Sequence, residues 1–274
     1  MFIGAHIEIG KDSIQNIPKK SAESGGNTMQ IYLGNKISYK VSHYTHEQKK
    51  LFQNAMKQFK QHYCVIHSKL LINLASNNPE IYNKSFETIQ EEIQEASQLG
   101  FSYVVFHPNS PGKNRHQEGC MQIIKALESL IIPKGVMVLL ENSAGEGHKI
   151  GTYLEDLSFI LNNVFQNRSQ IGVCIDTAHL YSSGYDIATN FDSVKETIQN
   201  YIGFKNIHVI HFNDSKKPLG SKKDVHEDIG YGYIGEKGLS NVISDKDFQK
   251  CVFICETPGN EKWNIQKSRN VIKN

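Results

Sequence analysis

The sequence predicts a closed (β/α)8 barrel, the TIM-barrel class of α/β fold, spanning residues 1–274 as a single domain. Three observations predict it. Eight short apolar, β-branched runs recur at an average interval of about 36 residues, the length of one βα unit. The runs are continuously apolar rather than alternating, as parallel strands buried on both faces must be. The stretches between them carry helix start and stop signals, and no linker, low-complexity tract or charge block interrupts the series. A chain of 274 residues is close to the roughly 250 that such a barrel uses. A doubly wound open sheet is the alternative, but no Gly-x-Gly-x-x-Gly turn follows any run, so its dinucleotide-binding version has no support.

The strands are expected, in order, at FIGAHI (2–7), TMQIYL (28–33), YCVIHS (63–68), YVVFHP (103–108), VMVLLEN (136–142), IGVCIDT (171–177), IHVIHF (207–212) and VFICET (252–257). Between the second and third, THEQKKLFQNAMKQFKQ (45–61) offers Thr45 as N-cap and apolar residues Leu51, Phe52, Ala55, Met56 and Phe59 at helical spacing. Between the third and fourth, residues 78–100 begin with Pro79 in a first-turn position and stop at Gly100.

Hydrophobic content of 39% provides ample core, and no apolar run approaches the ~20 residues that span a bilayer. The opening MFIGAHIEIG lacks a charged segment followed by a long apolar one, so an intracellular protein is expected. Cytoplasm or nucleus, and a cellular or viral source, stay open. The five cysteines form no Cys-x-x-Cys pair, and Cys64, Cys174 and Cys255 sit in strand-like runs, where buried free thiols are expected. A net charge of +2 is too mild to announce a nucleic-acid partner by itself. Twelve histidines is a high count, and their placement is informative.

At or just past the C-terminal ends of the eight runs stand His6, Tyr32, His67, His107, Glu141, Asp176, His211 and Glu256. In a barrel these positions face one rim, where active sites of this class are built. A lone strand-end histidine is more often a satisfied core residue than a ligand. Seven imidazoles and carboxylates together are different, because several like charges in one desolvated space cannot all ionise unaided. Metal cations resolve that conflict, and neutral His with Asp and Glu suits zinc, manganese or iron rather than calcium. His179, in the loop expected after the sixth strand, and the Asp224-x-His226 pair, whose members point to one side of an extended segment, extend the set. Nine ligand candidates (His67, His107, Glu141, Asp176, His179, His211, Asp224, His226 and Glu256) are too many for one ion and suit two or three. Lys216, Lys217, Lys222 and Lys223 form a basic loop on the same rim. Three divalent ions would raise the formal charge to about +8, a field suited to a polyanion.

FHPNS (106–110), LLENSAGEG (139–147), VCIDTAHLYSSGYD (173–186), HFNDSKKPLGSKKDVHEDIGYGYIG (211–235) and CET (255–257) closely resemble the endonuclease IV family of apurinic/apyrimidinic endonucleases, over nearly the whole chain. The resemblance implies a (β/α)8 barrel with three zinc ions, manganese being an option at one site. His67 and His107 would bind the first ion, Glu141 would bridge the first and second, and Asp176, His211 and Glu256 would complete the second. His179, Asp224 and His226 would hold the third. It further implies base-excision repair by hydrolysis of the phosphodiester 5′ to an abasic site in duplex DNA. Glu141 and Glu256 would be the catalytic carboxylates around a metal-activated hydroxide, the products a 3′-hydroxyl and a 5′-deoxyribose phosphate. A 3′-repair diesterase activity and a monomeric state go with the family, and no membrane partner is expected.

The departures lie in DNA contact. Family members commonly place Arg after the second strand and Tyr after the first ligand histidine; here the positions hold Ile37 and Leu70. Apolar wedges can fill the gap left by a missing base. Lys36, Ile37, Lys69, Leu70, Asn109, Lys216, Lys222 and Lys223 are therefore the DNA-facing candidates, with Lys36 or Lys69 supplying the missing charge. The quartet Glu141, Asp176, His211 and Glu256 also resembles sugar isomerases and epimerases of the same barrel, which do not require His67, His107, His179 or the Asp224–His226 pair. A non-catalytic metal-dependent DNA-binding protein is a third reading.

Overall fold

A computed structural model of the protein describes residues 1–272. The barrel strands are β1 (Phe2–His6), β2 (Thr28–Ile31), β3 (Val65–His67), β4 (Tyr103–Phe106), β5 (Met137–Glu141), β6 (Ile171–Asp176), β7 (Ile207–His211) and β10 (Val252–Cys255), each inside its expected run. All eight pairings are parallel, and the sheet closes where Phe2 to Ala5 pair with Val252 to Cys255. That pairing excludes the open doubly wound sheet. The strands end one or two residues before the apolar runs do, because the chain leaves the ladder as it turns toward the rim.

Several of the helices between strands start or stop at local sequence signals. The short α1 (Ile17–Glu23) has Pro18 in its first turn. In α2 (His46–Gln58) Thr45 accepts from Gln48 N while the Gln48 side chain accepts from Thr45 N, a reciprocal cap. Helix α3 (Pro79–Leu99) has Pro79 at its first position, Asn78 accepting from Glu80 and Ile81, and Gly100 at φ 87° closing it. Phe52 and Met56 carry the core contact of α2; Leu51, expected on that face, is exposed. All five cysteines are buried and free.

Two local structures differ from expectation. His179 is not in a loop but in α6 (Thr177–Ser183), which begins directly after β6 because the Asp176 carboxylate accepts from His179 N at 2.8 Å and caps it. The segment after β7 folds into a two-residue antiparallel hairpin, β8 (Asp214–Ser215) with β9 (His226–Glu227), which carries His226 back over the barrel mouth. The buried Asp214 carboxylate accepts from the backbone of Ser215, Gly230, Gly232, Ile234 and Gly235 and fixes the loop beyond it.

The barrel interior is an apolar layer of Val65, Val105, Leu139, Cys174, Val209, Val252 and Ile254, all essentially inaccessible. Strand side chains alternate, so the residue two positions further on returns to the interior. That residue is His67, His107, Glu141, Asp176, His211 or Glu256. The pleat therefore converts six separate strand ends into one ring of polar side chains above a dry floor.

Candidate metal centre

His67, His107, Glu141 and Glu256 of the ring, with His179, Asp224 and His226, line a groove of about 860 Å3 at the C-terminal mouth of the barrel. His67 Nε2 and His107 Nε2 lie 3.4 and 3.6 Å from Glu141 Oε2. His211 Nδ1 lies 2.9 Å from Glu141 Oε1 and 3.1 Å from Glu256 Oε2. His226 Nε2 is 3.5 Å from Asp176 Oδ2, and Asp224 Oδ1 sits 3.0 Å from His179 Nε2 and 3.4 Å from His226 Nε2. Four overlapping groups emerge whose ligand-type atoms lie within 4.8 Å of one another: His67, His107 and Glu141; His67, His211 and Glu256; Glu141, Asp176, His211 and Glu256; Asp176, His179 and His226. Asp224 touches the last. The structure thus brings all nine sequence-derived candidates together.

The surroundings aim the rings. His67 Nδ1 donates to Ser68 O, His179 Nδ1 to Asn142 O and His226 Nδ1 to Glu256 O, at 2.8, 2.9 and 3.0 Å. A carbonyl only accepts, so these contacts fix the tautomers and leave each Nε2 free to face inward. His211 is turned the other way. Its Nε2 donates to Gln30 Oε1 at 2.8 Å, and Gln30 Nε2 donates to Glu256 Oε1 at 2.6 Å. Asn213 donates to Asp176 Oδ2 and accepts from Glu256 N.

Glu141 Oε2, His179 Nε2 and His226 Nε2 are nevertheless buried without a hydrogen-bond partner. Burial alone pushes a carboxylate up and a histidine down; here charge pairing overrides it in part of the cluster. Burial opposes, but His107 and His211 together hold Glu141 well below the usual carboxylate range. Burial likewise opposes at His179, where Asp176 and Asp224 raise it well above the ordinary histidine value. His107 is instead pushed down to about 4 by burial. Crowded carboxylates balanced by protonated imidazoles, with three buried ligand-type atoms that lack hydrogen-bond partners, fit a set of cations that would replace those protons.

The DNA-facing candidates divide. Lys36 and Ile37 are exposed, Leu70 is 36% exposed, and Leu70 N donates to Lys36 O, so the two loops form one lip of the groove. Lys216, Lys222 and Lys223 are exposed on the segment that carries Asp224 and His226, Lys216 near Glu227 and Lys223 near Glu146. Lys69 is a correction. It is 2% exposed, and its ammonium donates to Leu33 O beneath the lip, so it supports the loop and does not offer charge to a ligand. The Asn109 amide is likewise directed inward, to Ile72 O at 2.8 Å, with backbone φ of 64°. Gln30 was missed by sequence reasoning; its signal was an amide inside an otherwise apolar strand, two residues before Tyr32. Asn142 and Asn213 carried no comparable signal.

Residues 18–274 match the model of the family described as "Xylose isomerase-like TIM barrel". The chain is 39% identical to a "Probable endonuclease 4" of Thermosipho africanus over 99% of this chain and 97% of the relative. It superposes on the crystal structure of endonuclease IV from Thermus thermophilus with a TM-score of 0.89 and 29% identity, covering 99% and 98% of the two chains. A D-tagatose 3-epimerase-like protein shares the fold at TM-score 0.73 and 20% identity, over 99% and 95% of the chains. Identity over nearly full length and the ring of His, Asp and Glu lead to one conclusion: the chain belongs to the endonuclease IV family.

Proposed function

We propose that this protein is a monomeric, single-domain, intracellular apurinic/apyrimidinic endonuclease of base-excision repair. It hydrolyses the phosphodiester 5′ to an abasic site in duplex DNA, leaving a 3′-hydroxyl and a 5′-deoxyribose phosphate, and the same site removes 3′-blocking phosphodiesters. The observation that supports the reading is the cluster of nine ligand-type side chains, three of them with buried atoms that lack a hydrogen-bond partner, at the floor of an open groove. His67 and His107 with Glu141, then Glu141 with Asp176, His211 and Glu256, then His179, Asp224 and His226 would hold three zinc ions. When bound, these supply Lewis acidity and concentrated positive charge for phosphodiester hydrolysis.

The chain's own groups do the rest. Water adds to phosphorus and the bond from phosphorus to the 3′-oxygen breaks. Glu256, at 15% exposure the outer of the two catalytic carboxylates, would take the water's proton and return it to the departing 3′-oxygen, its Oε1 being held by Gln30. Glu141, fully buried, stays ionised and spans two ligand groups. Ile37 and Leu70 present an apolar lip suited to the space of a missing base, and Lys36, Lys216, Lys222 and Lys223 meet backbone phosphates.

The test is incision of a labelled duplex bearing one tetrahydrofuran abasic analogue, before and after chelation, with an undamaged duplex as control and bound zinc quantified. Cleavage immediately 5′ to the analogue, lost with zinc, is expected. Fully metallated protein that leaves the analogue intact overturns the reading, and ketose sugars would then be screened as substrates.

A further inference from the structure

A second cluster of metal-type ligands lies outside the groove, where nothing in the proposed chemistry uses it. Helix α4 (His116–Ser129) opens with His116 and carries Cys120 one turn later, so imidazole and thiol share a face. Asp156 stands opposite, in the first turn of α5 (Leu154–Asn163). One ligand atom from each of the three lies within 4.8 Å of the others, and His116 Nε2 is 2.7 Å from Asp156 Oδ1.

We propose that His116, Cys120 and Asp156 form a peripheral binding site for a divalent, thiophilic cation of the zinc class, structural in role. The donor set is one that zinc accepts, with a fourth position left for water. Burial is graded as a usable site requires. Cys120 is 3% and Asp156 9% exposed, whereas the His116 side chain is 49% exposed and provides the entry path. The second carboxylate oxygen of Asp156 accepts from Gly151 N at 3.0 Å, which orients the ligand from behind. Gly151 O in turn accepts from Ser143 N at 2.8 Å, two residues beyond Glu141. An ion here would staple α4 to the first turn of α5, which Asp156 ties to the loop after β5. Binding releases one proton, from the Cys120 thiol to solvent, and forms a sulfur–metal bond without any redox change.

The thiol makes the site separable from the groove, whose ligand groups contain only His, Asp and Glu. Full-length protein would be titrated with cobalt(II) while the near-ultraviolet thiolate-to-cobalt band and the bound ions per chain are recorded. Wild type is expected to show the band. Cys120→Ser should lose it together with one bound ion, with the groove's cobalt d–d absorption retained. His116→Gln, at a half-exposed position that tolerates substitution, should lose the same ion without unfolding. Absence of a sulfur band in fully loaded wild type overturns the proposal. So does a band that survives Cys120→Ser, which would place the thiolate at another cysteine such as Cys174 below His211. Neither outcome touches the abasic-site reading.

Discussion

The two ends of the barrel interior use the same strands for opposite purposes. Val65, Val105, Leu139, Cys174, Val209 and Ile254 fill one layer; two residues on, His67, His107, Glu141, Asp176, His211 and Glu256 fill the next. The lower layer is inaccessible throughout, whereas the upper is buried at His67, Glu141, Asp176 and His211 but opens at His107 and Glu256, so burial distinguishes them only in part. The lower is held by contact alone, while the upper needs a donor or acceptor for every atom and lacks one at Glu141 Oε2, His179 Nε2 and His226 Nε2. The difference teaches that a barrel separates stability from chemistry by depth, and that the chemical layer is a stable arrangement only when its charges are balanced.

Glu141→Gln breaks the comparison most sharply. It removes the carboxylate shared by two ligand groups, and incision should fall by roughly 10³-fold or more, with fewer ions retained on dialysis. An active variant would mean that the upper layer is not the catalytic one. Leu139→Ala, one pleat below, should cost about 2–5 kcal/mol of stability in denaturant titration, with kcat of the folded fraction unchanged. A fall in kcat matching that of Glu141→Gln would show the layers to be coupled.

Glu92 sharpens the contrast from behind the ring. It is buried against Ser68, and burial pushes it up to about 7 from 4.5. The folded state then holds a proton that the unfolded chain has released. The stability that this proton contributes is fully present below pH 4.5 and is lost as pH rises from there through about 7. Glu92→Gln should flatten that decline in thermal unfolding followed from about pH 4.5 to about pH 8; a slope that persists assigns it elsewhere. Gln30→Met keeps volume but releases His211 Nε2 and Glu256 Oε1, and should weaken ion retention against a graded chelator by roughly 10–100-fold. Leu70→Ala, at the lip, should weaken abasic-duplex binding by about 1–2 kcal/mol in a gel-shift titration and leave metal content intact. Unchanged affinity would remove Leu70 from the wedge.

Much of the fold and centre was legible in the chain because it is written in local rules. Eight apolar runs at βα spacing, the Thr45 cap and the Pro79 and Gly100 boundaries are short-range signals, and each stands in the structure as expected. The six candidate ligands at strand ends were legible because the strand period of two and the apolar run before each fix which way they face. The lysines were less legible. Lys69 and Lys222 look alike in sequence, yet one ammonium is buried on Leu33 O and the other side chain is exposed.

Sequence by itself determined the order of the eight barrel strands, the candidate ligands at their ends and the side of the sheet those take, since all depend on neighbours within a few residues. Tertiary closure alone decided that β1 pairs with β10, that Gln30 and Glu256 meet across 226 residues, and that the β8–β9 hairpin carries His226 to Asp176. Distances between residues remote in the chain follow from how the sheet curves and closes, and no local pattern encodes that curvature.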